Sequence, residues 1–352
     1  MKGLQAPEAR STALPLCTLA PAKINLGLFV GALRADSRHR LVTVMQAISL
    51  ADRVRLEAAS GARDEVMCPD VGCAPHENLA ARALALLRAE GVLDCPPLRL
   101  SIEKSIPVAG GLAGGSADAG AALRLAETLL AGARSSAPGG RSLLALAAQL
   151  GADVPAQVFP GRYLATGAGE RLDALPEAGG SCGVLLIALA RELKAGAVYA
   201  HAERLRQPRS RAELAQLAEA LQRALGGGAA LPPAELLEND LQDAARALCP
   251  EIGHALELAR EAGARHALVS GSGPTVIGLF PGVEGPAQAQ RAAAALRTQL
   301  SSERSAREQE GTGSPLGAGA LAAIHAASFM PAQFARVRSG RDCSADLKRG
   351  TA

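Results

Sequence analysis

Four glycines fall within eleven residues, from Pro107 to Ala117 (PVAGGLAGGSA), and this stretch constrains the fold more than any other part of the chain. It follows an alternating, strand-like run and precedes a run rich in Ala and Leu that is typical of a helix. Glycine lets backbone N–H groups turn toward a ligand, and a helix start adds unpaired donors and a positive dipole end. The pattern favours a phosphate-binding loop, with a glycine-rich turn that serves only close packing as the alternative.

The stretch matches neither of the two common nucleotide-binding patterns. The GxxxxGK[ST] motif of P-loop proteins is absent, and the spacing GGxxGG differs from the GxGxxG of dinucleotide-binding folds. Both folds are therefore disfavoured. Ser116 is placed to cap the following helix or to reach a metal ion, and Asp118 falls in the first helical turn, where negative charge is favoured.

Length and charge narrow the class of protein. A chain of 352 residues predicts two domains, because single cores stop growing at roughly 250 to 300 residues. The net charge of +3 is small and the basic residues are interspersed with acidic ones, which disfavours binding to nucleic acid or to a membrane surface. Seven cysteines without a CxxC pair predict reduced thiols, and the absence of long apolar runs and of a signal pattern predicts a soluble, cytoplasmic protein.

The first half of the chain predicts a domain of strands and helices. Residues 1–17 are expected to be a disordered leader, and residues 18–178 to form the N-terminal domain. Lys23 and Asn25 share one face of the first alternating run, although an ordinary solvent-facing strand lysine remains an alternative for Lys23. The predicted strands cover 22–30, 41–48, 52–58, 98–104 and 162–166, and the predicted helices follow Asn78 and cover 116–130 and 143–150.

A composition shift near Gly179 predicts a second domain, residues 179–340. Its patterns run strand, helix, helix, strand, strand, helix, which favours a split βαβ sandwich completed by a strand at 334–338. Residues 301–319 are rich in Gly, Ser and polar residues and are expected to form a disordered loop, and residues 341–352 a tail.

Eight motifs occur in order along the chain. They are PAKINLGL (21–28), RADSRH (34–39), HENLAARA (76–83), PVAGGLAGGSADA (107–119), LGADVP (150–155), GAGERL (167–172), END (238–240) and SGSGPTV (270–276). Together they resemble the motifs of the GHMP kinase superfamily over roughly residues 20–300. The resemblance implies an α+β, two-lobed fold with an N-terminal ribosomal-S5-like lobe and a C-terminal ferredoxin-like lobe.

Within the superfamily, LGADVP beside PAKINL is most similar to the branch that acts on a cytidine diphosphate-linked methylerythritol. The resemblance implies transfer of the ATP γ-phosphoryl group to the 2-hydroxyl of that small molecule, with Mg²⁺ as counterion. Phosphoryl transfer depends on stabilising the phosphate charge and aligning the reacting groups more than on covalent catalysis. A loop rich in hydrogen-bond donors, one lysine and one carboxylate therefore suffice for the reaction.

The roles implied by the resemblance fall on residues of these motifs. Asp153 matches the catalytic base, which also contacts the substrate, and Lys23 matches the lysine that assists it. Asn25 would position both, His39 would contact the cytosine, and Asn78 would lie near the adenine. The loop would bind the ATP phosphates through Pro107, Val108, Ala109, Gly110, Gly111, Leu112, Ala113, Gly114, Gly115, Ser116 and Ala117, with Ser116 also reaching the metal.

Residue types alone leave other interpretations open. Asp153 is also typical of a turn aspartate that bonds its own backbone, and His39 of a solvated loop histidine. The chain departs from the family's usual DGYH by carrying Ser37 and Arg38, which alters the expected cytidine contact. In the loop, Ala109, Ala113 and Ala117 stand at positions that are commonly Gly or Ser. A methyl at Ala113 is tolerated only at negative φ.

Two other functions fit the same fold. One is phosphorylation of another small alcohol of the homoserine or mevalonate type, and the other is ligand binding without catalysis. The presence of both Lys23 and Asp153 speaks against the second. The sequence leaves open whether the protein is a monomer or a homodimer.

Overall fold

The computed structural model describes residues 14–69, 71, 74, 76–108, 110–133, 140–310, 321–340 and 343. Its strands are β1 (Leu16–Leu33), β2 (His39–Ala58), β3 (Glu65–Met67), β4 (Leu98–Glu103), β5 (Arg162–Thr166), β6 (Arg171–Ala174), β7 (Cys182–Leu189), β8 (His266–Val269), β9 (Val276–Pro281), β10 (Leu321–Ser328) and β11 (Arg338–Ser339). Its α-helices are α1 (Leu79–Ala89), α2 (Gly114–Ala133), α3 (Gly140–Leu150), α4 (Val154–Val158), α5 (Ala195–Leu205), α6 (Arg211–Leu225), α7 (Gln242–Leu248), α8 (Glu251–Glu261) and α9 (Gly285–Glu310).

The N-terminal lobe is built on one mixed sheet in the order β11–β1–β2–β4–β3, with β5 and β6 branching from β2. The two runs predicted at 41–48 and 52–58 form one continuous strand, β2. Its first half pairs with β5 and its second half with β4, so the strand serves two branches of the sheet. Apolar side chains of β1, such as Ile24 and Leu26, are fully buried against the helices of this lobe.

Helix starts in this lobe follow from local capping. Asn78 caps α1, as predicted, and its side chain accepts hydrogen bonds from the backbone of Ala80 and Ala81. The start of α2 differs from the prediction at Ser116. The backbone N–H of Ala117 donates to the carbonyl of Ala113 at 2.9 Å, so the helix begins at Gly114 and Ser116 lies inside its first turn.

The C-terminal lobe carries an antiparallel sheet in the order β10–β7–β9–β8. The strand predicted at 334–338 is wrong, because Phe334 lies in the short 3-10 helix Ala332–Ala335. The fourth strand is instead β10, in which Ile324 and Ala327 are buried. Alanine is frequent in β10 and favours helix in isolation, so its strand character comes from pairing with β7.

The chain ends differ from the sequence expectation. Leu16 and Cys17, expected in the leader, already belong to β1, and residues 301–310, expected in a disordered loop, belong to α9. Residues 311–320 lie outside the described residues. After β10 the chain returns to the N-terminal lobe, where β11 pairs with β1 and Cys343 forms a disulfide with Cys17.

The disulfide corrects the expectation that every thiol is reduced. Leu16 pairs with Ser339 and Cys17 with Arg338, which brings distant parts of the chain to one sheet edge. Arg338 and Ser339, which the prediction places in the second domain, therefore pair with the N-terminal sheet. No helix of the described part of the chain is long and apolar enough to cross a membrane.

Candidate active site

A cleft of about 720 Å³ opens between the two lobes. The glycine-rich loop, Lys23 of β1, Asp153 and Tyr199 all line it. A second glycine-containing turn, residues 271–273, reaches the cleft from the C-terminal lobe. The cleft therefore draws its lining residues from both lobes.

The two glycine-containing turns pack directly on each other. A Cβ on Gly111 would lie 2.8 Å from the carbonyl oxygens of both Ser270 and Gly273, and Gly111 has a φ of +74°. A Cβ on Gly110 would lie 2.9 Å from Thr275 Oγ1. Both positions exclude side chains, so these glycines serve close packing as well as the shape of the loop.

Ala113 adopts the left-handed conformation, with a φ of +58°. The sequence predicts that an alanine at this position needs a negative φ. The observed φ is positive, so Ala113 is strained relative to a glycine. Ala113 lies directly before α2, where this conformation turns the chain into the helix. Ala109, another alanine of the loop, lies outside the described residues.

Most of the predicted phosphate-binding residues line the cleft. Those that do are Pro107, Val108, Gly110, Gly111, Leu112, Ala113, Gly114, Gly115 and Ser116. Ala117 instead is buried in the core of the N-terminal lobe. Because α2 begins inside this segment, the first backbone N–H groups of the helix and its positive dipole end face the same cleft, a suitable site for an anion.

Lys23 and Asp153 meet in the cleft. Lys23 Nζ lies 3.5 Å from Asp153 Oδ2 and donates to Asn25 Oδ1 at 2.9 Å, while its backbone N–H donates to the carbonyl of Leu112 in the loop. Lys23 is buried and Asp153 is one-third exposed. A buried cation thus faces a carboxylate that solvent and substrate can reach.

A hydrogen-bonded chain holds Lys23 in place. Asn25 Nδ2 donates to Thr43 Oγ1 at 2.8 Å, and Thr43 Oγ1 donates to the carbonyl of Gly27 at 2.6 Å. Asn25 therefore has both ends of its amide occupied, which fixes its orientation toward Lys23. The sequence did not identify Thr43, which lies on β2 two residues before Met45, the residue paired with Asn25.

Asp153 occupies the N-cap position of α4 but its side chain makes no capping hydrogen bond. The alternative of a turn aspartate bonded to its own backbone is therefore not what the structure contains. Pro155 follows in the first turn of this helix, where its missing N–H costs nothing. The carboxylate is left available to Lys23 and to the cleft.

A second, buried charge cluster, two of whose members (Lys104 and Asp118) line the cleft, was not revealed by the sequence. Lys104 Nζ pairs with Asp52 and, at 2.7 Å, with Asp118, while Asp52 Oδ1 accepts from the backbone of Ser105 and Ile106. Burial raises the pKa of Asp118 to about 7, with Lys104 opposing and Asp52 adding to that shift. The cluster anchors the segment that enters the glycine-rich loop.

His39 does not line the cleft but stacks on Tyr199, which does. Its ring stacks on Tyr199 with centroids 4.8 Å apart, and its Nδ1 lies 3.1 Å from the carbonyl oxygen of Gly31. Tyr199 lines the cleft, whereas His39 does not. Burial, with a further contribution from Asp153, raises the pKa of Tyr199 to about 12. Arg38 forms an ion pair with Asp36 on the exposed turn.

Asn78 lines the cleft near the loop, but its Oδ1 is occupied as the cap of α1. Its amide nitrogen is the part of the side chain that remains for a ligand. Asn78 thus lines the cleft and caps α1 with the same side chain.

The oxygen atoms at the start of α2 suit a hard cation. Ser116 lines the cleft, and Asp118 Oδ1 is buried without a hydrogen-bond partner. Mg²⁺ prefers oxygen ligands and is bound through one or two protein oxygens together with substrate phosphates. Within the described ranges, no group of three or more His, Cys, Asp or Glu side chains forms a protein-only metal site. These residues therefore fit a metal that arrives with a nucleotide.

Comparisons with known proteins agree with this geometry. Residues 78–161 match the GHMP kinases N terminal domain and residues 217–302 match the GHMP kinases C terminal domain. The 4-diphosphocytidyl-2-C-methyl-D-erythritol kinase of Streptomyces avermitilis is 42% identical over 283 residues, which cover 79% of this chain and 93% of that protein. The enzyme of the same description from Thermobifida fusca is 42% identical over 289 residues, covering 79% and 90%.

Solved structures give the same result. A crystal structure of 4-(cytidine 5'-diphospho)-2C-methyl-D-erythritol kinase aligns with a TM-score of 0.63 and 32% identity, covering 89% of this chain and 98% of that one. The homoserine kinase of Cytophaga hutchinsonii aligns with a TM-score of 0.65 but 15% identity, which shows a shared fold alone. The predicted two-lobed α+β fold is confirmed. The chain belongs to the GHMP kinases, in the family of the 4-diphosphocytidyl-2-C-methyl-D-erythritol kinases, and is an ATP-dependent kinase.

Proposed function

We propose that the protein transfers the γ-phosphoryl group of ATP to the 2-hydroxyl of 4-diphosphocytidyl-2-C-methyl-D-erythritol, a step of the non-mevalonate route to isoprenoid precursors. The observation that carries the proposal is the pair of Lys23 Nζ and Asp153 Oδ2, 3.5 Å apart and facing a glycine-rich loop at a helix start. The relatives that share 42% of their residues with this chain, over most of their length, are named for that acceptor.

In the proposed reaction Asp153 accepts the proton of the acceptor hydroxyl as its oxygen bonds to the γ-phosphorus. The bond between that phosphorus and the bridging oxygen of ADP breaks, and ADP leaves. Lys23 stabilises the negative charge that develops on the attacking oxygen, and Asn25 holds the ammonium group in place. A carboxylate that is one-third exposed, beside a buried cation, has the arrangement that this step requires.

The loop supplies the phosphate end of the site. Its backbone donors and the start of α2 would hold the β- and γ-phosphates, with the second glycine-containing turn behind them. Mg²⁺, when bound to the phosphates and to Ser116, would neutralise their charge. Tyr199, with His39 stacked behind it, offers an aromatic face where the cytidine would lie.

A coupled assay of ADP release tests the proposal. ADP should appear with the cytidyl acceptor and Mg²⁺ and not with homoserine or mevalonate, and ³¹P NMR of the product should place the new phosphate on the 2-hydroxyl. Turnover of homoserine or mevalonate in preference to the cytidyl acceptor would contradict the substrate assignment. Tight ligand binding without any ATP turnover would contradict the catalytic one.

A further inference from the structure

Arg124 is a buried arginine of α2 that does not line the cleft and has no role in the reaction proposed above. Its guanidinium donates to three backbone carbonyls. Nη1 bonds the oxygen of Gln157 at 2.5 Å and that of Val158 at 3.3 Å, and Nη2 bonds the oxygen of Leu19 at 2.7 Å. The planar fork of an arginine suits such a set of acceptors in a way that a point charge does not.

These carbonyls belong to the two elements that carry the reacting groups. Gln157 and Val158 end α4, which begins directly after Asp153, and Leu19 lies on β1 four residues before Lys23. Helix α2 itself continues the phosphate-binding loop. One guanidinium therefore joins the loop helix, the helix of Asp153 and the strand of Lys23.

Helix α4 depends on such contacts for its position. It has five residues, too few for a helix to be stable by itself, and its last carbonyls have no partners within the helix. A cation at this end is favourable because the helix dipole is negative there. Gly120, one turn before Arg124, allows close approach, since a Cβ there would lie 2.3 Å from the carbonyl oxygen of Gln157.

The positive charge of the Arg124 guanidinium is stabilised by hydrogen bonds to backbone carbonyls. Among the described residues no carboxylate lies within 4.0 Å of its guanidinium. Burial lowers the pKa of Arg124 to about 9, so the group stays protonated at neutral pH. Burying a charge is costly, and an apolar side chain of similar size would pack without that cost but would leave the carbonyls without donors.

We propose that Arg124 is a positioning residue, which fixes Asp153 relative to Lys23 and the phosphate-binding loop by docking α4 on α2 and β1. This inference rests on the role proposed for Asp153. A displacement of about 1 Å between reacting groups reduces the rate on the order of 100-fold, so the docking contact acts on kcat more than on nucleotide affinity.

The test compares Arg124→Met and Arg124→Lys with Arg162→Met in the full-length protein. Arg162 is a matched control because it is also buried and also donates to two backbone carbonyls, those of Ala229 and Ala230, which lie away from α2 and α4. Each variant is measured for kcat with the cytidyl acceptor, affinity for a non-hydrolysable ATP analogue, and melting temperature. R124M should lose kcat on the order of 100-fold at unchanged analogue affinity, R124K should fall between it and the wild type, and R162M should keep kcat.

Two outcomes overturn the inference. One is an R124M protein that is folded at the assay temperature with kcat within twofold of the wild type. The other is an R124K protein with the kcat of the wild type. This result overturns the positioning role even when R124M fails to fold, because the ammonium of lysine cannot reproduce the planar hydrogen-bonding geometry of the guanidinium.

Crystal structures give a readout that needs no acceptor. The separation of Lys23 Nζ and Asp153 Oδ2, 3.5 Å in the wild type, should widen in the Arg124 variants and not in R162M. If the wild type is inactive on the cytidyl acceptor while this separation still responds to Arg124, the proposed function fails and the positioning role stands. An unchanged separation in the Arg124 variants overturns the positioning role.

Discussion

The backbone strain at Ala113 lets us predict how a substitution there changes the free energy of unfolding. Its φ of +58° places an L-residue in the left-handed region, which costs about 1–2 kcal/mol relative to glycine. Ala113→Gly removes that cost but adds chain entropy to the unfolded state, worth about 0.5–1 kcal/mol in the opposite direction. The free energy of unfolding should therefore stay constant or rise by up to about 1.5 kcal/mol.

The control is Ala215→Gly, at an exposed position in the middle of α6 with ordinary helical backbone. This change should destabilise the protein by about 1 kcal/mol. At roughly 2 °C per kcal/mol for a chain of this size, the melting temperatures of the two variants should differ by about 2–5 °C, with A113G the more stable. If A113G lost as much stability as A215G, the left-handed conformation assigned to Ala113 would be wrong.

Three further predictions follow from the site and the chain ends. Because burial raises the folded-state pKa of Asp118 to about 7, above its ordinary value of 3.8, the folded protein binds more protons between these values and its stability should fall as pH rises through that window. Asp118→Asn should flatten the dependence of melting temperature on pH, and an unchanged slope would contradict the shift. Gly111→Ala should weaken binding of a non-hydrolysable ATP analogue by about tenfold, because the added methyl would lie only 2.8 Å from the carbonyl oxygens of Ser270 and Gly273. Wild-type affinity in a calorimetric titration would contradict the close packing of the glycine-rich loop on the turn at 271–273. Reduction of the bond between Cys17 and Cys343, or Cys343→Ser, should lower the melting temperature at unchanged kcat, and the chain-entropy model sets the upper limit of the lost stability at about 6 kcal/mol. Full thiol titration of the native protein would show that the bond does not form.

The residues that the sequence placed correctly are those whose signal is local. Asn78 capped its helix because an asparagine before an apolar run satisfies backbone donors nearby. Lys23 and Asn25 shared a strand face through simple alternation, and the structure joins them by a hydrogen bond. Family motifs, and not periodicity, singled out Asp153, whose partner Lys23 is 130 positions earlier in the sequence.

The features that the sequence did not predict depend on long-range pairing. Lys104 meets Asp52 across neighbouring strands, and no local pattern announces an ion pair between residues so far apart. Cys17 and Cys343 are separated by 326 positions and meet only because the chain returns to the first strand. The composition of β10 favours helix, and its pairing with β7 overrides that propensity.

The start of α2 shows a different reason for a missed boundary. A left-handed residue before the helix is expected to be glycine, and this chain places Ala113 there. The helix therefore begins within the glycine-rich stretch at Gly114, and not at Ser116 where a capping side chain is available. The consequence is that helix N–H groups, and not only loop N–H groups, face the cleft.

The role of Asp153 as the base is decided by kcat of Asp153→Asn with ATP, Mg²⁺ and the cytidyl acceptor, measured beside Asp173→Asn as a control at an exposed carboxylate of β6. Asparagine keeps the size of Asp153 but cannot accept the proton. We expect D153N to lose about 10²- to 10⁴-fold in kcat, with wild-type affinity for the ATP analogue, and D173N to keep full activity. D153N with kcat within a few-fold of the wild type would contradict the assignment of Asp153 as the base.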